Sequence, residues 1–194
     1  MNLAQKEREA AAALPQGSVL AVLYDQHARI RDLFDLVTNS ESPQAKQTAF
    51  DRLRELLAVH EAGEEMILRP VTTKLVGPEV ADERNSEESE AAHVLANLEK
   101  MDVSTADFDH SFAAFEKSVS DHAEREEIEE FPHILAEVSS ENQLKMGERL
   151  LKAEKAAPTH PHPAAAGSPT AQFLVGPFAA LLDKAKDGFS DKKD

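Results

Sequence analysis

The chain contains no cysteine and no tryptophan, a single tyrosine, and only 21 Lys and Arg against 36 Asp and Glu in 194 residues. Without cysteine there can be no disulfide framework, thiolate zinc site, iron–sulfur cluster or thiol nucleophile, so any bound metal must sit on nitrogen and oxygen. The same absence fits a reducing cytosol. Cationic side chains are too few for a nucleic-acid binder, whose affinity comes from neutralising phosphates, and a net charge of −15 equally opposes docking on anionic lipid. Long apolar runs are missing as well. The longest, 173–182, includes Gly176 and Pro177 and is too short to span a bilayer. The start of the chain mixes Lys6, Glu7, Arg8 and Glu9 ahead of a short alanine run, unlike a secretory signal. These features predict a soluble, cytoplasmic protein with neither nucleic acid nor membrane as a partner.

Strand patterning is also lacking, because Val, Ile, Thr and aromatic residues never alternate over a strand length. Apolar residues instead recur at threes and fours. Ser18 is a candidate N-cap for a first helix over 18–39, with Leu20, Leu23, His27, Ile30, Phe34 and Val37 on one face. Ser42 and Pro43 restart the chain into a second helix ending near Arg69, ahead of Pro70. The polar stretch 78–90 reads as a loop leading into a third helix over 86–101. Ser104 or Thr105 opens a fourth, over 106–137, with a break expected at Pro132. Four amphipathic helices with short connections predict an all-α, up-and-down four-helix bundle.

The expected organisation is therefore an N-terminal extension at 1–17 and the bundle with a short fifth helix at 18–155. A Pro/Ala linker at 156–169 and a C-terminal amphipathic helix at 170–194 follow, the latter folding back on the bundle or mediating self-association.

One repeat carries the chemistry. The segments 60–70 and 122–132 share the skeleton H-x-x-x-E-E-x-x-x-x-P, and each follows a helix with a histidine on its apolar stripe. Residues four apart share a helix face, so His60 with Glu64 and His122 with Glu126 can each chelate a common site. With His27 and His93, that gathers four imidazoles and two carboxylates at the bundle centre. Six nitrogen and oxygen ligands suit two iron ions, with the glutamates bridging. A glutamate in a bundle core without a cation is costly, which favours the same reading. Glu65, Glu127, Glu129 and Glu130 read as solvated, although a small helix rotation would make Glu127 a rival to Glu126. His110 and His133 near the ends of the fourth helix, and His160 and His162 in the linker, are not expected as ligands.

These residues resemble the hemerythrin-like, or HHE cation-binding, domains, and mycobacterial members in particular. The likeness covers about 18–137, and the motif H–HxxxE–H–HxxxE matches His27, His60, Glu64, His93, His122 and Glu126. It implies a non-haem di-iron centre, oxo- or hydroxo-bridged as well as carboxylate-bridged, inside a four-helix bundle. Oxygen-carrying hemerythrins add a fifth histidine where this chain has Ser89, and they place the final carboxylate where it has Glu127. The missing imidazole leaves a coordination position open or recruits Tyr24, Glu61 or Glu90. Tyr24 lies one turn before His27, and a phenolate binds ferric iron well. An open position admits hydrogen peroxide, O2 or nitric oxide, and the resemblance implies catalase-like peroxide breakdown in oxidative or nitrosative stress defence. The alternative is an O2 or NO sensor, or an iron-binding protein without turnover.

Overall fold

Ser18, Ser42 and Thr105 set the starts of three long helices. Each side chain accepts a hydrogen bond from the backbone N–H three residues on, at Ala21, Ala45 and Phe108, satisfying a donor that the first helical turn leaves free. The computed structural model describes residues 2–156, and within them every regular element is helical. The linker and the C-terminal amphipathic helix expected from the sequence lie outside the described residues.

The first three helices are α1 (Leu3–Ala13), α2 (Val19–Thr38) and α3 (Pro43–Gly63). A π-helical turn at Glu64–Leu68 joins α3 to α4 (Arg69–Leu75). There follow α5 (Pro78–Leu98), α6 (Ala106–Glu129), α7 (Phe131–Glu137) and α8 (Ser140–Ala156). Helices α2, α3, α5 and α6 form the bundle, while α1 and α8 both pack on α2. The segment expected only as an N-terminal extension thus includes a helix docked on the bundle, with Glu7 buried and its carboxylate 2.5 Å from Arg31 Nε.

The third bundle helix starts earlier than its sequence suggests. Residues 78–90 are helical rather than a loop. Gly77 takes φ +123°, open to glycine but strained for other residues, and Pro78 occupies the first turn, where its missing N–H costs nothing. The inward positions of this stretch include Arg84 and Glu88 rather than a run of apolar residues, so the segment carries no apolar stripe to read.

Both repeat segments end on a proline, and both helices are interrupted there. A proline inside a regular helix collides with the carbonyl four residues back. Ahead of Pro70 the chain widens into the π turn, in which the Arg69 N–H reaches back to Glu64 O, and then continues as α4. Ahead of Pro132 it breaks at Glu130 and restarts as α7. The second helix therefore does not stop near Arg69 as its sequence suggests. The break at Pro132 is present.

Two apolar clusters fill the bundle. One contains Phe34, Phe50, Leu53, Leu57, Leu95, Phe108, Phe112 and Phe115, with Phe108 stacked on Phe112 at a 5.4 Å ring separation. The other joins Leu20, Leu23, Leu68, Phe131, Ile134, Met146 and Leu150. Along α2, Leu23 belongs to the second cluster and Ile30 to the first. Gln26 and His27 lie between them, so a buried polar layer separates the two. No helix among the described residues is long and apolar enough to cross a membrane.

Helix α8 approaches the chain ahead of α2 so closely that a Cβ on Gly147 would collide with the backbone carbonyl of Gly17. Backbone cannot swing aside as a side chain does. Gly147→Ala should therefore cost about 1–3 kcal/mol, the usual penalty of overpacking, and thermal unfolding followed by circular dichroism should show a correspondingly lower Tm.

Candidate metal centre

The polar layer is built from α2, α3 with its π turn, α5 and α6. His27 comes from α2, His60 and Glu64 from α3 and the turn after it, Glu88 from α5, and His122 and Glu126 from α6. Ligand atoms of His27, His60, Glu64 and Glu126 all lie within 4.8 Å of one another, and so do those of Glu64, Glu88, His122 and Glu126. The two groups share Glu64 and Glu126. Both carboxylates are 0% exposed.

The sharing extends to single oxygens. Glu126 Oε2 lies 3.6 Å from His27 Nε2, and its Oε1 lies 3.4 Å from His122 Nε2. Glu64 Oε1 lies 3.5 Å from His60 Nε2. Within the described residues, His27 Nε2, His122 Nε2, both oxygens of Glu64 and Glu126 Oε2 are buried without a hydrogen-bond partner. Burying polar atoms unpaired is expensive, and so many of them converging on one point is the pattern of a site shaped for a cation.

All three imidazoles are held from behind. His27 Nδ1 donates to Glu127 Oε1 at 2.8 Å, His60 Nδ1 to Gln26 Oε1 at 3.0 Å and His122 Nδ1 to Glu87 Oε2 at 2.9 Å. Each acceptor is an oxygen without a proton, so Nδ1 carries the hydrogen and Nε2 is left to face the centre. This is how metal-binding histidines are oriented and made more basic. Phe131 stacks on His27 at a ring separation of 5.8 Å, and the rings of His27 and His60 meet edge to face.

Charge in the layer is unevenly spread. Burial, reinforced by the charge of Glu126, pushes Glu64 well above the usual carboxylate range. Although burial opposes its charge, Glu126 is held well below that range by His122, His27 and Arg69. His60 falls well below the ordinary imidazole value through burial and the nearby charge of His27, and is neutral. Burial disfavours charge on His122 too, but the surrounding Glu126, Glu87 and Glu88 raise it to about 9.

Arg69 is a member of the buried polar layer that periodicity did not reveal. It is 4% exposed. Its Nη1 donates to both oxygens of Glu130 at 2.9 and 3.0 Å, and its Nη2 donates to Glu126 Oε1 at 2.9 Å and to Glu88. Glu130, read from sequence as solvated, is fully buried in this pairing. The equally buried Arg84 bonds Glu87 at 2.6 Å and Glu129 at 3.1 Å. The one signal in the sequence was position, because Arg69 and Glu130 lie just ahead of the two prolines of the repeat.

The other expected residues fall as follows. His93 is exposed, with Nδ1 2.7 Å from the carbonyl oxygen of Ser89, and is not brought to the centre. Five residues separate it from Glu88, which at about 100° per residue places it roughly 140° around α5. Glu90 is exposed. Glu127 supports His27 instead of joining the shared pair. Tyr24 packs edge-on against Phe131, and burial together with the charges of Glu127 and Glu7 raises its hydroxyl pKa, which works against a phenolate. Glu61 lines a cavity beside His60, its carboxyl pushed up to about 8 by burial and the charge of Glu88. His110 and His133 are exposed, as expected.

A four-helix bundle with imidazole and carboxylate groups converging at its centre defines the class of helical metal-binding proteins. Residues 18–134 match the Hemerythrin HHE cation binding domain family, and the chain belongs to that family. It is 29% identical over 134 residues to an uncharacterized hemerythrin-like protein of Schizosaccharomyces pombe, covering 68% of this chain and 66% of that one. It is also 27% identical over 136 residues to a DNA nickase of a Nostoc species, covering 67% of this chain and 39% of the relative. The chain thus spans part of each relative's length. No solved structure matches it.

If Glu88 and not His93 faces the metal, Glu88→Gln should lower metal content and shrink the rise in Tm that metal produces, whereas His93→Ala should leave both unchanged. Elemental analysis and paired melting curves of metal-free and metal-loaded protein read the difference.

Proposed function

We propose that the chain is a non-haem di-iron protein that turns over a small oxidant, hydrogen peroxide first among them, in the manner of a catalase. The observation that carries this reading is the pair of overlapping ligand groups sharing Glu64 and Glu126. His27 and His60 would hold one iron, His122 and Glu88 the other, with the two shared carboxylates spanning both. Each group offers four ligands, fewer than the six that iron commonly takes, which leaves room for a bound small molecule. Two irons side by side supply, when bound, a two-electron redox change.

The protein's own contribution is selection and proton placement. A cavity of about 30 Å³ reaches the centre between His27, His60, Glu88 and His122, and is walled by Ile30, Phe34, Leu57, Ala91 and Val119. That room is of the order of one or two water-sized molecules, a scale that suits peroxide, O2 or nitric oxide. Before metal binds, burial and the charge of Glu88 push the Glu61 carboxyl at the cavity wall up to about 8. In disproportionation two peroxides give two waters and one O2. One peroxide is oxidised and the other reduced, so no outside electron donor is required.

The carboxylate-rich set favours turnover over reversible oxygen carriage, since Glu88 stands at the centre where the sequence suggested an imidazole. The nickase activity named for the Nostoc relative is not carried over, because the match covers 39% of that protein and a net charge of −15 repels a phosphate backbone. Adding peroxide to the iron-loaded chain should release O2 well above an equal amount of free iron, and His60→Ala should abolish the excess together with bound iron. Tight binding of two irons without O2 release would instead leave a binding protein, an O2 or NO sensor or an iron-holding chain, and would falsify the enzymatic reading.

A further inference from the structure

The two halves of the centre are not equivalent. Around the first, among the described residues, His27 Nε2, Glu64 Oε1 and Glu126 Oε2 are buried without a hydrogen-bond partner, so none of them is bonded to Arg69. Around the second, Glu126 Oε1 and Glu88 both accept from Arg69 Nη2, and Glu64 Oε2 lies 3.8 Å from the same nitrogen. Those oxygens belong to the three carboxylates that form a ligand group with His122. One guanidinium nitrogen therefore stands where those carboxylates converge.

We infer that Arg69 is a resident cation in the second half of the centre, so that the His27/His60 half takes metal first and the Glu88/His122 half takes it only as Arg69 is drawn toward Glu130. This rests on the two-metal reading above. A divalent ion entering beside a buried guanidinium meets like charge where solvent screens poorly, and it competes for the oxygens that the arginine already occupies. Glu130 holds Nη1 with both oxygens on the far side, and gives the side chain an anchor to which it can withdraw. The Glu64 Oε1 and Glu126 Oε2 oxygens of the first half are not hydrogen-bonded to the arginine. Ordered filling makes the one-metal form a defined species and ties the second affinity to one side chain.

The test is calorimetric titration of the full metal-free chain with cobalt(II), with the visible bands of the bound ion followed in parallel. Wild type should show two steps, the second weaker by about ten- to a hundredfold. Arg69→Gln combined with Glu130→Gln removes both charges of the buried pair, and should narrow the gap between the two steps by strengthening the second. Arg69→Lys, which keeps the charge, should leave the second step weak. Two equal steps in wild type, or a second step unmoved or weakened in the double variant, would overturn the inference and leave the two-metal reading standing. A single cobalt ion bound by wild type but two by the double variant would support it in its strongest form, with Arg69 excluding the second metal altogether. One ion bound by both would overturn the two-metal reading and this inference together. Should the double variant fail to fold, the wild-type steps decide alone.

Discussion

Carboxylates placed where water cannot reach them demand positive charge, and the rest of this structure is arranged around that demand. Glu64, Glu126 and Glu130 are each fully buried at the middle of the bundle. Unpaired, a charged group there would cost more than the bundle could offset, so it must lose its charge or gain a cation. Both responses occur. Glu64 is driven toward its neutral form, while Glu126 and Glu130 each accept hydrogen bonds from Arg69. Folding and cation binding are consequently one problem, since the groups that burden the metal-free fold are those placed to take a cation.

The apolar clusters on either side give the layer its character. Phenylalanines close one end of the bundle, and Leu20, Leu23, Leu68 and Phe131 close the other. Their exclusion of water raises the worth of every charge–charge contact between them. The braces at Nδ1 then fix the imidazoles before any ion arrives, because Glu127, Gln26 and Glu87 each come from a bundle helix that packing already positions. A centre prepared in this way spends little binding energy on ordering its ligands.

Periodicity and capping made the bundle legible, and the caps at Ser18, Ser42 and Thr105 fall where the residue types indicate. The paired H-x-x-x-E spacing likewise brought His60 with Glu64 and His122 with Glu126 to one place. The third bundle helix defeated the same reasoning for a physical reason. Its inward face carries Arg84 and Glu88, which look like surface residues until they are seen to neutralise partners on other helices. A rule that sends charge outward therefore begins the helix too late and chooses His93, the one residue of metal-binding type that stood out, although it faces solvent. Glu130 and Arg69 escaped notice on the same grounds, since each looks exposed unless the other is known to be present. Spacing along one helix can be read from sequence, whereas pairing between helices distant in the chain cannot.

The π turn at Glu64–Leu68 holds one residue more than a regular helix would need to cover the same rise. Winding the same residues as a regular helix would rotate everything after the turn by about 100°, turning Arg69 away from Glu126 and Glu130 while His60 and Glu64 stayed in place. The family's chelating pair and this chain's buried arginine are thus separated by a movable phase in the helix. The wide turn is what brings the arginine to the buried carboxylates while the His60 and Glu64 pair keeps its place on the helix.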